Sequence, residues 1–240
     1  MNGDEEHAKK VIAYVSTNVA PQWGVRPSTH AIIEKLYEGF VEKFNAHLTQ
    51  YPYLLGGKPC LGDFGLMCPL YGHLGRDPVP HRLLQMRGPW VHRWVERMNR
   101  PEPDTGEYIN LPHSFLQDDE VPKTIIELLT HFALDFVPET IASHSGINRW
   151  LEENKPAIGT QCERYAGEAE FDVEGTSIHV CPQPFRFYLL ERVQSAIQVL
   201  KGSDQADALA LLDTCNMTAV LDLKLDRKIG RANNLEVWLD

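Results

Sequence analysis

Tyr53-Leu54-Leu55-Gly56-Gly57-Lys58-Pro59-Cys60-Leu61-Gly62-Asp63-Phe64 places a sharp break between two helical stretches in the first half of this chain. Tyr51-Pro52 and Gly56-Gly57-Lys58-Pro59 are turn punctuation, because glycine supplies unusual backbone angles and proline cannot extend a helix. Beyond Cys60 the pattern becomes helical. Phe64, Met67, Leu70, Tyr71 and Leu74 recur at three- and four-residue steps and predict a third helix.

Outward from this stretch the first half reads as helices. Ala8, Val11, Ile12 and Val15 predict one from Glu5 to about Val19, ended by Pro21 and Gly24. A longer second helix starts near Ser28, with Ile32, Leu36, Phe40, Phe44 and Leu48 in steps of four. After Asp77-Pro78 comes a short helix. The Gly88-Pro89 break then leads into another, with Val91, Trp94, Val95 and Met98 on one side. Residues 100–122 hold prolines and acids and predict a long surface loop. Ile125, Leu129, Phe132 and Phe136 then predict a helix from Lys123 to about Ser143.

The character changes after about Pro156. Glu168–Val173 and Thr176–Val180 alternate around Glu174-Gly175, the pattern of a hairpin with Phe171, Val173, Ile178 and Val180 as its apolar positions. Pro184 opens a helix with Phe185, Leu189, Val193 and Ile197 as its stripe, and a further helix runs from about Asp204 to Thr214. Short strands are expected near Ala219–Leu225 and Leu235–Leu239.

Composition bounds the function classes. The 240 residues are 43% hydrophobic and 23% charged, ordinary for a globular protein. A net charge of -10 argues against attraction to nucleic acid or an anionic membrane, and no apolar run is long enough to span a bilayer. Met1-Asn2-Gly3-Asp4-Glu5-Glu6-His7 is acidic and unlike a secretory signal. Five cysteines with no C-x-x-C pair point to reduced thiols in a cytoplasmic setting, with neither a disulfide framework nor a metal site.

The Tyr53–Phe64 stretch resembles the glutathione-transferase family at the central buried helix of its all-helical C-terminal domain. The family's motif there is a tight turn, a Ser or Thr cap, and Asp three residues on. This is a capping box, in which the cap side chain and the Asp carboxylate satisfy each other's backbone N–H groups. Here Cys60 stands in the cap position and Asp63 in the carboxylate position. A thiol is a weak acceptor, so the Asp63 half is expected to be the strong one. Phe64 is expected to pack on Pro59 as a hydrophobic staple.

The resemblance continues in Pro69-Leu70-Tyr71-Gly72-His73-Leu74-Gly75-Arg76-Asp77-Pro78-Val79-Pro80 and through Trp90–Asn99. It extends through Gly106-Glu107-Tyr108 and Asp119–Thr124 to the Gly175 hairpin and Pro184-Phe185, and is similar to a bacterial subgroup of large transferase-like proteins. It implies a mainly α fold: a glutathione-transferase C-terminal-like helical bundle over residues 1–156, with a small α+β C-terminal extension over 157–240 packed on it as one unit. Family members also carry an N-terminal thioredoxin-like domain that binds glutathione and activates its thiol. Nothing before residue 30 has that pattern.

The resemblance therefore implies an electrophile-side domain without its own glutathione-binding domain, inactive alone and binding no cofactor by itself. Glutathione would enter only if a thioredoxin-like domain were supplied in cis or in trans. The alternative, from a different class, is a non-catalytic binding or assembly module on the same helices. A homodimer is the other association this reading admits.

Within that frame Tyr14, Trp23, Tyr71 and His73 are the candidate pocket residues, against the plainer expectation that buried aromatics simply pack. Residues 76–100 contain six arginines and no lysine. Arg76, Arg93 and Arg97 are candidate contacts for an acidic ligand or partner, because the guanidinium fork matches carboxylates and phosphates. Internal pairing with the acidic excess is the reading favoured over it. A helix N-terminus favours a thiolate at Cys60, but Asp63 opposes it, so a small capping residue is the better expectation. No catalytic residue is assigned, and no H-E-x-x-H, phosphate-binding loop, G-x-S-x-G or dinucleotide fingerprint is present.

Overall fold

A computed structural model describes residues 5–100 and 107–240, so the first four residues and Pro101–Gly106, part of the predicted loop, lie outside it. The fold is mainly helical, with eight α-helices and two two-stranded antiparallel sheets among the described residues. The chain divides into two compact units, one of residues 35–132 and one of residues 1–34 with 133–240. Both divisions fall inside long helices, and neither lies at residue 156.

Residues 35–132 hold most of α2 (His30–Leu48), then α3 (Leu61–Pro69), α4 (Pro78–Arg87), α5 (Pro89–Met98) and the start of α6 (Lys123–Asn154). Their core is the expected stripe of α2, Phe40, Phe44 and Leu48, packed with Leu70, Leu84 and Trp94. The third helix is shorter than its periodicity suggests. It ends at Pro69, and Leu70–Leu74 continue as a wider π-helical turn closed by the Gly75 N–H on the Leu70 carbonyl at 2.6 Å. The described part of the 100–122 segment is no free surface loop. Gly57 N–H donates to the Ser114 carbonyl at 2.9 Å and Leu116 N–H to the Leu55 carbonyl at 3.0 Å, so the strand-like backbone at 114–116 is tied to the turn before α3.

The other unit begins with α1 (Glu5–Tyr14), whose residues are all exposed. The expected helix to Val19 changes form after Tyr14, into a π-helical turn over Val15–Val19 and a 3-10 turn over Ala20–Trp23. Ser16 and Thr17 hydroxyls donate to the Ile12 and Ala13 carbonyls at 2.8 Å, competing with the main chain for those acceptors, and Pro21 has no N–H to offer.

Helix α6 runs well past Ser143. Pro138 lies inside it, and Ser143, Ile147 and Leu151 keep a buried row at steps of four through the polar stretch that hid the pattern. Ile147 and Leu151 share a core with Phe187, Leu190 and Trp238, so the second half of α6 packs with the tail.

In the tail, β1 (Ala169–Val173) pairs with β2 (Thr176–Val180) in the predicted hairpin, followed by α7 (Pro184–Val199) and α8 (Ser203–Thr214). Helix α7 buries a different face from the one expected. Phe187, Leu190 and Gln194 are inside, whereas Phe185, Leu189 and Val193 are exposed. The Gln194 amide explains this choice, because it donates to the Val220 and Leu223 carbonyls, each at 2.9 Å, and so satisfies backbone that packing would otherwise leave bare.

No strand forms over Ala219–Leu225, where Thr218–Val220 make a 3-10 turn. The last hairpin instead pairs β3 (Ile229–Ala232) with β4 (Leu235–Trp238) about Asn233-Asn234, both at positive φ, a tight-turn signal in asparagine that the apolar pattern alone did not carry.

Candidate functional site

A cleft within residues 133–240, joined by Arg26, is built by one hairpin and one helix. Glu174 and Gly175 both have positive φ, the conformation of a two-residue type I′ turn, which fixes the β1–β2 register with Val173 opposite Thr176. Residues flanking such a turn exchange both backbone hydrogen bonds, and pairs of this kind alternate along the ladder. Phe171–Ile178 and Ala169–Val180 are therefore the other bonded pairs, and the N–H and C=O groups of Glu170 and Asp172 point away from β2.

The outer edge of β2 is met at its C-terminal end. Arg26 Nη1–H donates to the His179 carbonyl at 2.5 Å, and Cys181 N–H donates to the Gln22 carbonyl at 2.8 Å. No backbone hydrogen bond from another segment reaches Glu170 or Asp172 among the described residues.

Across from β1 stands α6. At one end the two meet closely: a Cβ at Gly146 would lie 2.4 Å from the Glu168 carbonyl oxygen, and one at Gly167 2.6 Å from the Gly146 carbonyl oxygen. Only glycine at both positions allows this seat, and Gly167 also needs its φ of +79°. Beyond the seat lies a cleft of about 1000 Å³. Its helix wall includes Pro138, Ile141, Ala142, Ser145 and Arg149, and its strand wall is the continuous run Glu168–Asp172.

Successive strand residues face opposite sides, so neighbours in an unbroken run line one cavity only when the strand's edge fronts it. The charges are mixed. Glu168, Glu170 and Asp172 stand against Arg26 and Arg149, and His179 lies 3.3 Å from Glu170.

The residues singled out from sequence lie elsewhere. Tyr14 and Trp23 are 62% and 52% exposed, and Trp23 makes an edge-on contact with Tyr165 at 6.4 Å. They belong to one unit, and Tyr71 and His73 to the other. Tyr71 is half-buried with Arg76 stacked 4.3 Å over its ring and donating to its hydroxyl, whereas His73 is exposed. None of the four lines the cleft.

The arginines are drawn inward in differing degree. Arg97 has a side chain only 1% exposed. It donates to the Pro52 carbonyl at 2.9 Å, pairs with Glu107 at 3.2 Å and lies over the rings of Tyr53 and Tyr108, so no face of it is left for a partner. Arg93 also pairs with Glu107 and stays exposed, lying 5.7 Å from the Trp90 ring. Arg76 is exposed beyond its contact with Tyr71.

Cys60 caps α3 and both halves of the box are present, with Asp63 Oδ2 accepting the Cys60 N–H at 2.9 Å. Asp63, wholly buried, accepts two further donors at 3.2 Å, Leu54 N–H and Trp94 Nε1–H. Burial pushes the Cys60 thiol above its usual range, and the Asp63 carboxylate adds to the shift, so the thiol form is held. Phe64 does not close a staple over Pro59 as a buried contact, being 55% exposed.

Three buried groups escaped the sequence reading. His47 stacks between Phe44 and Tyr51. Its Nε2 meets the Tyr53 carbonyl at 3.0 Å and its Nδ1 the Thr124 hydroxyl at 2.8 Å, and burial pulls its pKa down. The Nε2 must be the donor to a carbonyl, and with burial favouring the neutral ring Nδ1 is left to accept from the Thr124 hydroxyl. Cys162 has its thiol pushed up to about 12 by burial, with Glu163 and Glu236 adding to it, and burial raises Tyr37 to about 12 as well. The cleft residues were missed because Glu168–Asp172 read as an alternating strand, and alternation says nothing of which edge stays open.

Among the described residues no group of three His, Cys, Asp or Glu side chains gathers to hold a metal ion, and no helix is long and apolar enough to cross a membrane. Searched against protein-family models, curated proteins and solved structures, the chain gives no significant match.

Proposed function

We propose that this chain is a non-catalytic binding module on a glutathione-transferase C-terminal-like helical domain, and that it binds its ligand in the cleft between β1 and α6. The observation that carries this reading is the cleft itself: about 1000 Å³, with mixed charge on its walls and strand backbone left open along one side. Such a cleft offers hydrogen bonds and charge to a polar ligand. A pocket for a hydrophobic electrophile needs an apolar lining, and Tyr14, Trp23 and His73 are instead exposed.

The chemistry points the same way. Burial raises the thiols of Cys60 and Cys162, so neither serves as a ready thiolate nucleophile. The five free cysteines suit a reducing cytoplasm.

A second reading is the electrophile-side domain of a transferase whose thioredoxin-like partner, in cis or in trans, brings glutathione. The closed Cys60–Asp63 box favours it, as the feature through which the chain resembles that family. One pair of measurements tests both. With glutathione and a generic aromatic electrophile, the purified chain is expected to give no turnover above the uncatalysed rate. In an NMR screen of small polar fragments, shifts are expected to gather on β1, Ser145 and Arg149. Glutathione-dependent turnover, or fragment shifts that avoid the cleft, would overturn the proposal.

A further inference from the structure

Resting on the reading of this cleft as a binding site, we propose that its ligand is an extended peptide segment of a partner protein, added to the open edge of β1 as a third strand. The segment carries basic side chains at alternate positions and apolar ones between them. The outward N–H and C=O groups of Glu170 and Asp172 have no partner from another segment among the described residues, while on the outer edge of β2 the His179 carbonyl is taken by Arg26 and the Cys181 N–H just beyond it by Gln22. An edge of this kind is the template on which an extended chain docks, its main chain supplying affinity and its side chains specificity.

Charge then selects the occupant. In an added strand the residues opposite Glu170 and Asp172 stand on the same face as those carboxylates, within about 5.5 Å at Cβ, where opposite charge is favourable and like charge is not. Glu168, Glu170 and Asp172 are all exposed. Glu170 Oε1 accepts the Ser177 hydroxyl and faces His179, and Asp172 Oδ1 accepts the Gly175 N–H, which leaves the second oxygen of each outside these contacts. The intervening residues fall on the side of Ala169 and Phe171, and the facing helix wall contributes Pro138, Ile141 and Ala142.

The same charges argue against a second copy of β1 as the added strand, since it would set acids against acids. Arg149 lies one helical turn from Gly146, at the Glu168 end of the strand, and leaves Glu170 and Asp172 to the basic residues. A strand rises about 3.3 Å per residue, so the five residues of β1 accommodate a segment of similar length.

The test uses two blocked octapeptides, one alternating lysine and valine and one alternating glutamate and valine, titrated against the full chain by calorimetry. Amide exchange is read by NMR. The lysine peptide is expected to bind, more weakly as salt rises, and to protect the Glu170 and Asp172 amides, while the glutamate peptide does not bind. Glu170→Lys with Asp172→Lys should weaken the lysine peptide about ten-fold or more.

Asp172 also accepts the Gly175 N–H of the turn at 2.8 Å, so Glu168→Lys, at an exposed side chain with no such bond, serves as the milder variant with a smaller loss in the same direction. Equal binding of the two peptides, or protection away from β1, would overturn the proposal. So would absence of peptide binding. If fragments still gather in the cleft, the peptide inference alone falls. If they do not, the reading of the cleft as a binding site falls with it.

Discussion

Removal of the Asp63 carboxylate should be among the most damaging single changes to residues 35–132. Asp63 is wholly buried and accepts three donors: the Cys60 N–H, the Leu54 N–H and the indole N–H of Trp94. A helix cap alone is worth about 1 kcal/mol. Each buried donor left without a partner costs about 1–3 kcal/mol. Trp94 has no exposed surface and takes that cost in full, whereas Leu54 and Cys60 are half-buried and water can serve them in part.

Alanine in the first turn returns a few tenths of a kcal/mol in helix propensity. Asp63→Ala should therefore destabilise by about 3–5 kcal/mol, read as a lower urea midpoint at unchanged slope. The indole bond is separable. Trp94→Phe keeps the ring in the core and removes one donor, so after Asp63→Ala it should cost about 1–2 kcal/mol less than in the parent protein. An Asp63→Ala protein within about 1 kcal/mol of the parent, or strict additivity in that cycle, would refute the idea that the carboxylate organises these three donors.

Cys60→Ser should leave the urea midpoint unchanged or raise it by up to about 1 kcal/mol, because a hydroxyl accepts the Asp63 N–H better than a thiol does; a clear loss would show that the sulfur matters as a packed apolar atom. Burial lowers the pKa of His47, so the unfolded chain takes up a proton there before the folded one does. Its stabilising contribution is complete above the ordinary histidine range near 6.5 and is lost as pH falls toward the lower folded value. Stability measured from pH 8 to pH 5 should therefore fall less steeply in His47→Asn than in the parent, and parallel curves would refute this. On α7, Leu190→Ala should cost about 2–4 kcal/mol and Leu189→Ala less than about 0.5, since only the first leaves a cavity. The reverse ranking in thermal melts would show that the buried face has been assigned wrongly.

Much of the helical order was legible from spacing alone. Phe40, Phe44 and Leu48 repeat at the helical period, and that repeat survives any detail of packing because one face of α2 must leave water. Glu174-Gly175 was equally plain, since a tight hairpin turn needs backbone angles that few residue pairs adopt. Cys60 and Asp63 were readable too, since a cap and its carboxylate partner are three residues apart and settle their bonds locally.

Tertiary structure decided the rest, wherever the deciding partner lies far along the chain. On α7 two apolar rows compete, and Gln194 tips the choice by reaching carbonyls at Val220 and Leu223, which no local pattern displays. Arg97 is a buried pair rather than a surface contact only because Glu107 and the Pro52 carbonyl meet it. Helix α6 keeps its course past Ser143 because Ile147 and Leu151 find Phe187, Leu190 and Trp238 in the tail. The open edge of β1 is of the same kind: alternation along a strand specifies its faces, but which edge is covered depends on where Gln22 and Arg26 come to rest.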